Sequence, residues 1–214
     1  MQALIVGAAP VLGSDVLVRE LAAVCDLVVA ADAAAEWCIA AGVTPDIAVG
    51  DFDSALPGAV ERLSQAHVDV RRFSAEKNKS DLDLAVDAAR AAGATELVLS
   101  ACTSARLDHT LGTVGTAAAN ADLHPVIREP HLNAWVIASG LHGCTRLALP
   151  PRTTVSVFAL GEARGVTLGG FRYALNRATL GPLSSRGLSN VSVEDEVTVS
   201  VESGTLLVIT SRDT

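Results

Sequence analysis

Aromatic side chains are scarce in this chain. They make up 3% of its 214 residues, with two Trp, one Tyr and four Phe. A surface that binds single-stranded nucleic acid by stacking needs more of them. Basic residues are in the minority, 16 Lys and Arg against 24 Asp and Glu, for a formal net charge of −8. Such a chain is a poor partner for nucleic acid or an anionic membrane surface. Its four cysteines, Cys25, Cys38, Cys102 and Cys144, include no C-x-x-C pair, so zinc and thioredoxin readings have no support. All four lie in apolar stretches and read as buried, reduced thiols. The apolar runs are broken by Asp, Arg or Gly well short of the ~20 residues a membrane span needs. No basic segment leads into an apolar one of signal length, and a cytoplasmic location is expected. The patterns G-x-G-x-x-G, G-x-x-x-x-G-K-[ST] and G-x-S-x-G are absent. Any phosphate binding must therefore use another design.

Half the residues are hydrophobic. That excludes general disorder and supplies a sizeable core without disulfides. Strand and helix signals alternate through the first part. Ala3–Val6, Leu27–Ala30, Ile47–Val49, Val68–Val70 and Glu96–Ser100 read as short strands. Between them, Ser14 is placed to cap a helix, Ala33–Ala41 reads as a helix closed by Gly42, and Pro57 opens another. Ser80 starts the most regular helix, with Leu82, Ala85, Val86 and Ala89 on one face, and Leu107 to Ala119 follows as a further helix. Strands that lack polar alternation and alternate with helices predict a mostly parallel, Rossmann-like α/β domain. Near Gly140 the helical periodicity stops. Thr145–Leu149, Thr154–Leu160, Val166–Leu168, Val197–Val201 and Thr205–Thr210 are short strand-like runs separated by Gly, Pro, Ser and Asn. They predict an all-β sandwich. The expected domains are 1–140 and 141–214.

Three acidic groups follow predicted strands: Asp32; Gly50-Asp51-Phe52-Asp53-Ser54, with Asp46 flanking the same strand; and Arg106-Leu107-Asp108-His109. In an α/β sheet, ligands bind beyond the carboxyl ends of the strands. A single loop Asp is more often a turn former or helix cap. Several carboxylates converging on one edge repel one another unless a cation or a basic side chain neutralises them. Oxygen ligands of this kind suit Mg²⁺, which bridges substrate phosphates. Asp51 and Asp53 share one face of an extended segment, and Phe52 points the other way, into packing. Gly50 permits close backbone approach. In Glu76-Lys77-Asn78-Lys79-Ser80-Asp81-Leu82-Asp83, Ser80 and Asp83 fit a capping box. The block reads either as a capped helix start or as a phosphate site, a helix N-terminus with lysine beside it; Asp81 offers a metal ligand there. Of the histidines, only His109 lies in the acidic set.

Taken in order, these blocks resemble the thiamine pyrophosphokinase (thiamine diphosphokinase) family. The resemblance runs through Ala31-Asp32, Pro45-Asp46, Gly50 to Ser54, Lys77 with Ser80-Asp81, and Arg106 to His109. In the β-rich part it continues through Ser156-Val157-Phe158, Tyr173-Ala174-Leu175 and Gly187-Leu188-Ser189-Asn190. It implies a nucleotide-binding α/β domain, a thiamine-binding β-sandwich, and a homodimer with thiamine where subunits meet. The implied reaction moves a pyrophosphoryl group from ATP to thiamine, giving thiamine diphosphate and AMP, with Mg²⁺ as cofactor. By resemblance Asp51, Asp53, Asp81 and Asp108 are the catalytic carboxylates, and the first three hold metal. Asp32, Lys77, Asn78, Ser80, Arg106 and His109 bind nucleotide or phosphate, and Ser189 and Asn190 bind thiamine. The chain departs from the pattern at Asn78 for Asp, at Ala33-Ala34 and Ser104-Ala105 for glycines, and at Thr113 for Asn. Lys79 is placed to add a phosphate contact. Two alternatives stay open: transfer to another hydroxymethyl heterocycle such as a pterin, and a catalytically weakened relative that binds thiamine or nucleotide.

Overall fold

The computed structural model describes residues 1–53, 55–74, 78–104, 106–140 and 143–211. The apolar runs of the first part become a parallel sheet whose central strands are covered on both faces. Its strands are β1 (Gln2–Val6), β2 (Leu27–Ala31), β3 (Ile47–Gly50), β4 (Asp69–Arg72), β5 (Glu96–Ser100) and β6 (Val126–Glu129). Helices α1 (Ser14–Ala22), α2 (Ala34–Ala40), α3 (Ala59–Gln65), α4 (Asp81–Ala91) and α5 (Leu107–Ala119) connect them. The strand order is β6-β5-β1-β2-β3-β4, and β5-β1-β2-β3-β4 are parallel neighbours. Leu4, Ile5, Val29, Ala30, Ala48, Val49 and Leu99 have no more than trace exposure, as a doubly covered sheet demands. After β1 the chain winds one way through β2, β3 and β4. It then returns to place β5 on the other side of β1, so the topological switch point lies between β1 and β5.

The helix starts differ in how they are capped. Ser14 does not cap α1; Gly13 occupies that place, and the buried Ser14 is the first helical residue, its hydroxyl accepting the Val11 N–H at 2.9 Å. Pro57 lies ahead of α3, whose cap is Gly58. α4 has the full capping box. Ser80 Oγ accepts the Asp83 N–H, and Asp83 Oδ2 accepts from the Ser80 N–H and hydroxyl. Asp83 Oδ1 also accepts from the Thr116 hydroxyl at 2.6 Å, tying α4 to α5. Burial pushes the Asp83 carboxyl up, but the hydrogen bonds from Thr116 and Ser80, with Lys79 nearby, outweigh it and hold it below the ordinary carboxylate value of 3.8. A carboxyl lowered in the folded state adds stability that is complete above its unfolded pKa and is lost as pH falls through its folded one. Chemical denaturation from pH 6 down to pH 2.5 is therefore expected to show part of the wild-type stability disappearing below about pH 3.8. Asp83→Asn is expected to start less stable and lose less over that interval. Equal pH slopes for the two proteins would contradict this.

A second compact unit comprises Asn120–Val126 and His131–Thr214. The first comprises Met1–Ala119 and Ile127–Pro130. The expected change of pattern at Gly140 thus falls inside the second unit. The preceding strand, β7 (Leu132–Ala138), belongs there because it pairs antiparallel with β14 (Thr205–Ser211) over seven residues. The other strands are β8 (Cys144–Ala148), β9 (Thr154–Ala159), β10 (Ala163–Gly169), β11 (Leu175–Leu180), β12 (Asn190–Val191) and β13 (Glu196–Ser200). They form two antiparallel layers, β12-β9-β14-β7 and β11-β10-β13-β8. Val155 and Val157 of one layer and Val166, Leu168, Val197 and Val199 of the other meet in one apolar core. This is the sandwich that the short, evenly spaced strands predicted. Cys144 opens β8 on the exposed side, against the expectation of four buried thiols; Cys38 and Cys102 are buried and Cys25 is partly so. Burial pushes the Cys38 thiol up to about 12, so it stays protonated and inert.

Candidate functional site

The carboxyl ends of β1, β2 and β5 surround a cavity of about 460 Å³. Gly7, Ala8 and Ala9 follow β1, Ala31 and Asp32 end β2, and Cys102 follows β5. Ser80, Asp81 and Leu82 come from the start of α4, and Asp108, His109, Gly112 and Thr113 from the first half of α5. This is the switch point of the sheet, where parallel α/β folds bind ligands. Five of the residues singled out in the sequence, Asp32, Ser80, Asp81, Asp108 and His109, thus line one cavity.

Asp51 and Asp53 assemble with Asp32. One carboxylate oxygen from each lies within 4.8 Å of the other two. Local geometry explains the grouping. Asp51 Oδ1 accepts the Asp53 N–H at 3.1 Å, which curls the segment, and Phe52 between them adopts φ 60° and packs into the core. The backbones of Gly50 and Asp32 nearly touch: a Cβ at Gly50 would stand 3.0 Å from Asp32 Cα. Only glycine permits that approach. Three carboxylates this close repel one another strongly, and a hard divalent cation with oxygen ligands matches the donor set. Asp81, expected among the metal ligands, is not in this group and lines the cavity instead. Asp32 belongs to both.

Other residues are engaged elsewhere. Arg106 and Asp108 form a bidentate pair, 2.7 Å between Nη2 and Oδ2 and 3.3 Å between Nε and Oδ1. The Arg106 hydrogen bond holds the Asp108 carboxyl below its usual range. Lys79 reaches Asp87 at 2.5 Å rather than the cavity, so the phosphate contact expected of it is replaced by an ion pair along α4. Asp46 stands before β3, at the opposite end of the strand, and its Oδ2 accepts the Val28 N–H at 2.8 Å; it is structural. Lys77 and Ser54 lie outside the described residues. Asn78 is exposed and does not line the cavity.

In the β-sandwich, Ser189 is exposed in a left-handed conformation, φ 53°, its N–H donating to Ser156 Oγ at 3.1 Å. Asn190 is buried and works as a clamp. Its Nδ2 donates to Tyr173 O at 2.8 Å, and its Oδ1 accepts the Tyr173 N–H at 3.0 Å. Residues 18–126 match the family model of the thiamin pyrophosphokinase catalytic domain, and residues 146–206 match that of the thiamin pyrophosphokinase vitamin B1 binding domain. The chain belongs to the thiamine pyrophosphokinase family. It is 28% identical over 178 residues to the thiamine pyrophosphokinase of Bacillus subtilis (strain 168), covering 81% of each sequence. The crystal structure of thiamin pyrophosphokinase from Geobacillus thermodenitrificans superposes with a TM-score of 0.83 at 29% identity, covering 100% of this chain and 99% of that one. The enzyme from Candida albicans shares the fold at 14% identity, with a TM-score of 0.78 over 99% of this chain and 89% of that one.

Gly7-Ala8-Ala9, which carries no glycine fingerprint, and Thr113, which stands for an Asn of the family pattern, also line the cavity. The rule that ligands gather where strand order reverses would have found the first, but it needs the order of the strands. No helix of the described residues is long and apolar enough to cross a membrane.

Proposed function

We propose that this chain is an ATP-dependent thiamine diphosphokinase that uses a divalent metal, Mg²⁺. The observation that carries the reading is the junction at Asp32, where a cavity at the sheet's switch point meets a cluster of three carboxylates. The hydroxyl oxygen of thiamine attacks the β-phosphorus of ATP. The bond from that phosphorus to the oxygen it shares with the α-phosphorus breaks, and AMP leaves with the electron pair. Asp108, held ionised beside Arg106, accepts a hydrogen bond from the alcohol, whose proton passes to solvent. Arg106 and Lys77 are the cations offered to the phosphate oxygens, Ser80, Asp81 and His109 line the cavity that receives them, and Asn78 lies outside its lining. Asp32, Asp51 and Asp53 would hold the divalent metal, which would supply positive charge to the phosphates, while Asp81 lines the adjoining cavity.

Ser189 offers its hydroxyl to thiamine, and Asn190 keeps the Tyr173 segment in place for it. The proposal includes a homodimer with thiamine held between subunits, and sedimentation should then show twice the mass of one chain. The decisive assay incubates purified protein with ATP, Mg²⁺ and thiamine. AMP and thiamine diphosphate are expected in equal amounts. ADP as the nucleotide product would overturn pyrophosphoryl transfer. A rate with a hydroxymethylpterin above that with thiamine would overturn the choice of acceptor.

A further inference from the structure

Glu129 ends β6 with 0% exposure, the one fully buried carboxylate among the described residues. Its oxygens accept the N–H groups of three successive residues, Ala101 at 3.3 Å, Cys102 at 2.8 Å and Thr103 at 2.9 Å. These residues follow β5, the place where a parallel sheet ordinarily presents its backbone amides to a ligand. Ala101 is left-handed, φ 54°, and that turn makes the amides converge as they do in an anion-binding nest. Here the anion is built into the chain. Burial pushes the Glu129 carboxyl above its ordinary value, and the hydrogen bonds from the three amides offset that rise only in part.

Both sides of the cavity hang on this segment. The Ala101 carbonyl accepts the Ala9 N–H at 2.9 Å, on the β1 side. The Cys102 carbonyl accepts the Thr113 hydroxyl at 2.7 Å, on the α5 side that carries Asp108 and His109. With the amides after β5 occupied by Glu129, phosphates fall to other groups, among them the start of α4 that lines the cavity. Resting on the nucleotide reading of this cavity, we propose that Glu129 is the positioning residue of the ATP site. Its negative charge holds residues 101–103 and through them sets the spacing of the two cavity walls.

The test compares Glu129→Gln and Glu129→Asp with the wild-type chain. Glutamine keeps the volume but turns an amide donor toward three donors; aspartate keeps the charge. Steady-state kinetics give separate KM values for ATP and thiamine. The rate of Cys102 alkylation by iodoacetamide, resolved by peptide mass spectrometry, reports the loop without any substrate. For Glu129→Gln, we expect an ATP KM roughly tenfold higher, as befits a lost set of charge-assisted hydrogen bonds. The thiamine KM should stay within about twofold, since the loss falls on the ATP side. Cys102 should react faster. Glu129→Asp should recover most of each change. An unchanged ATP KM, equal rises in both KM values, or unchanged Cys102 alkylation in folded Glu129→Gln would overturn the proposal. Should that variant not fold, Glu129→Asp, shorter by one methylene, carries the same readouts: a smaller rise confined to the ATP KM with faster Cys102 alkylation supports the proposal, and wild-type values in all of them overturn it. Absence of AMP formation by the wild type would sink the pyrophosphokinase reading; ATP titration by calorimetry and the Cys102 rates would still decide the role of Glu129.

Discussion

Asp53→Ala is expected to lower AMP formation from ATP and thiamine by about 10²–10³-fold, the scale of removing one preorganised electrostatic group from a transition state. Asp53 is the better target of the pair, because Asp51 Oδ1 also caps the turn through the Asp53 N–H, and that bond survives the change. The carboxylate of Asp53 lies within 4.8 Å of those of Asp32 and Asp51, so deleting it relieves repulsion in the metal-free protein. Thermal stability without metal should therefore hold or rise while activity collapses, which separates a lost function from a lost fold. Divalent metal gives a second readout. A ligand that binds only the folded state raises the melting temperature in proportion to the logarithm of its concentration. Adding Mg²⁺ should raise it for the wild type and leave it unmoved for Asp53→Ala. Near-normal turnover in the variant would remove the carboxylate group from the mechanism.

Gly187→Ala should cost about 3 kcal/mol or more, at the top of the range for forcing atoms into a packed region. A Cβ there would stand 2.1 Å from the carbonyl oxygen of Val157, in the middle of β9. Neither partner can move cheaply. Val157 belongs to the central core of the sandwich, and Gly187 closes a short 3₁₀ turn, Ser185–Gly187, just before Ser189 and Asn190. For a chain of this length the loss corresponds to a fall of roughly 6–12 °C in melting temperature. The thiamine KM should rise in whatever protein remains folded, because Ser189 and the Asn190 clamp follow directly. A melting temperature within about 2 °C of wild type, where 1 kcal/mol shifts it by about 2–4 °C, would show that the turn can lift off the sheet.

Legibility in the sequence followed how local each feature was. The capping box of α4 was readable because Ser80 and Asp83 are three residues apart and both bonds close within one turn. Helix α5 was readable to its ends, Leu107–Ala119, from periodicity. The burial of Phe52 was legible as an apolar residue between two carboxylates, but the extended segment expected there is a turn, closed by the Asp53 N–H on Asp51 Oδ1 with Phe52 at φ 60°. Strand β11, Leu175–Leu180, was not legible, since exposed Asn176, Arg177 and Thr179 mask its pattern. Strand β12 has two residues and exists because Asn190 and Val191 pair with Val155 and Thr154. Ser14 carried a cap signal but was drawn inward, where its hydroxyl serves the Val11 amide instead.

The sequence by itself determined the two-part architecture, the strands that are covered on both faces, and the carboxylates that end near the sheet's ligand edge. Those are properties of composition and of periods two and 3.6, which a chain carries before it folds. Tertiary structure decided which carboxylates meet. Asp32 joins Asp51 and Asp53 because β2 and β3 are parallel neighbours and Gly50 lets their ends close up. It also decided that Asp46 serves a backbone amide, that Asn190 grips Tyr173, and that Glu129 fills the amides after β5. Each of these contacts joins residues seventeen or more apart in the chain. Backbone and side-chain polar groups pair with whatever the packed fold brings within about 3 Å, and no local spacing encodes that choice.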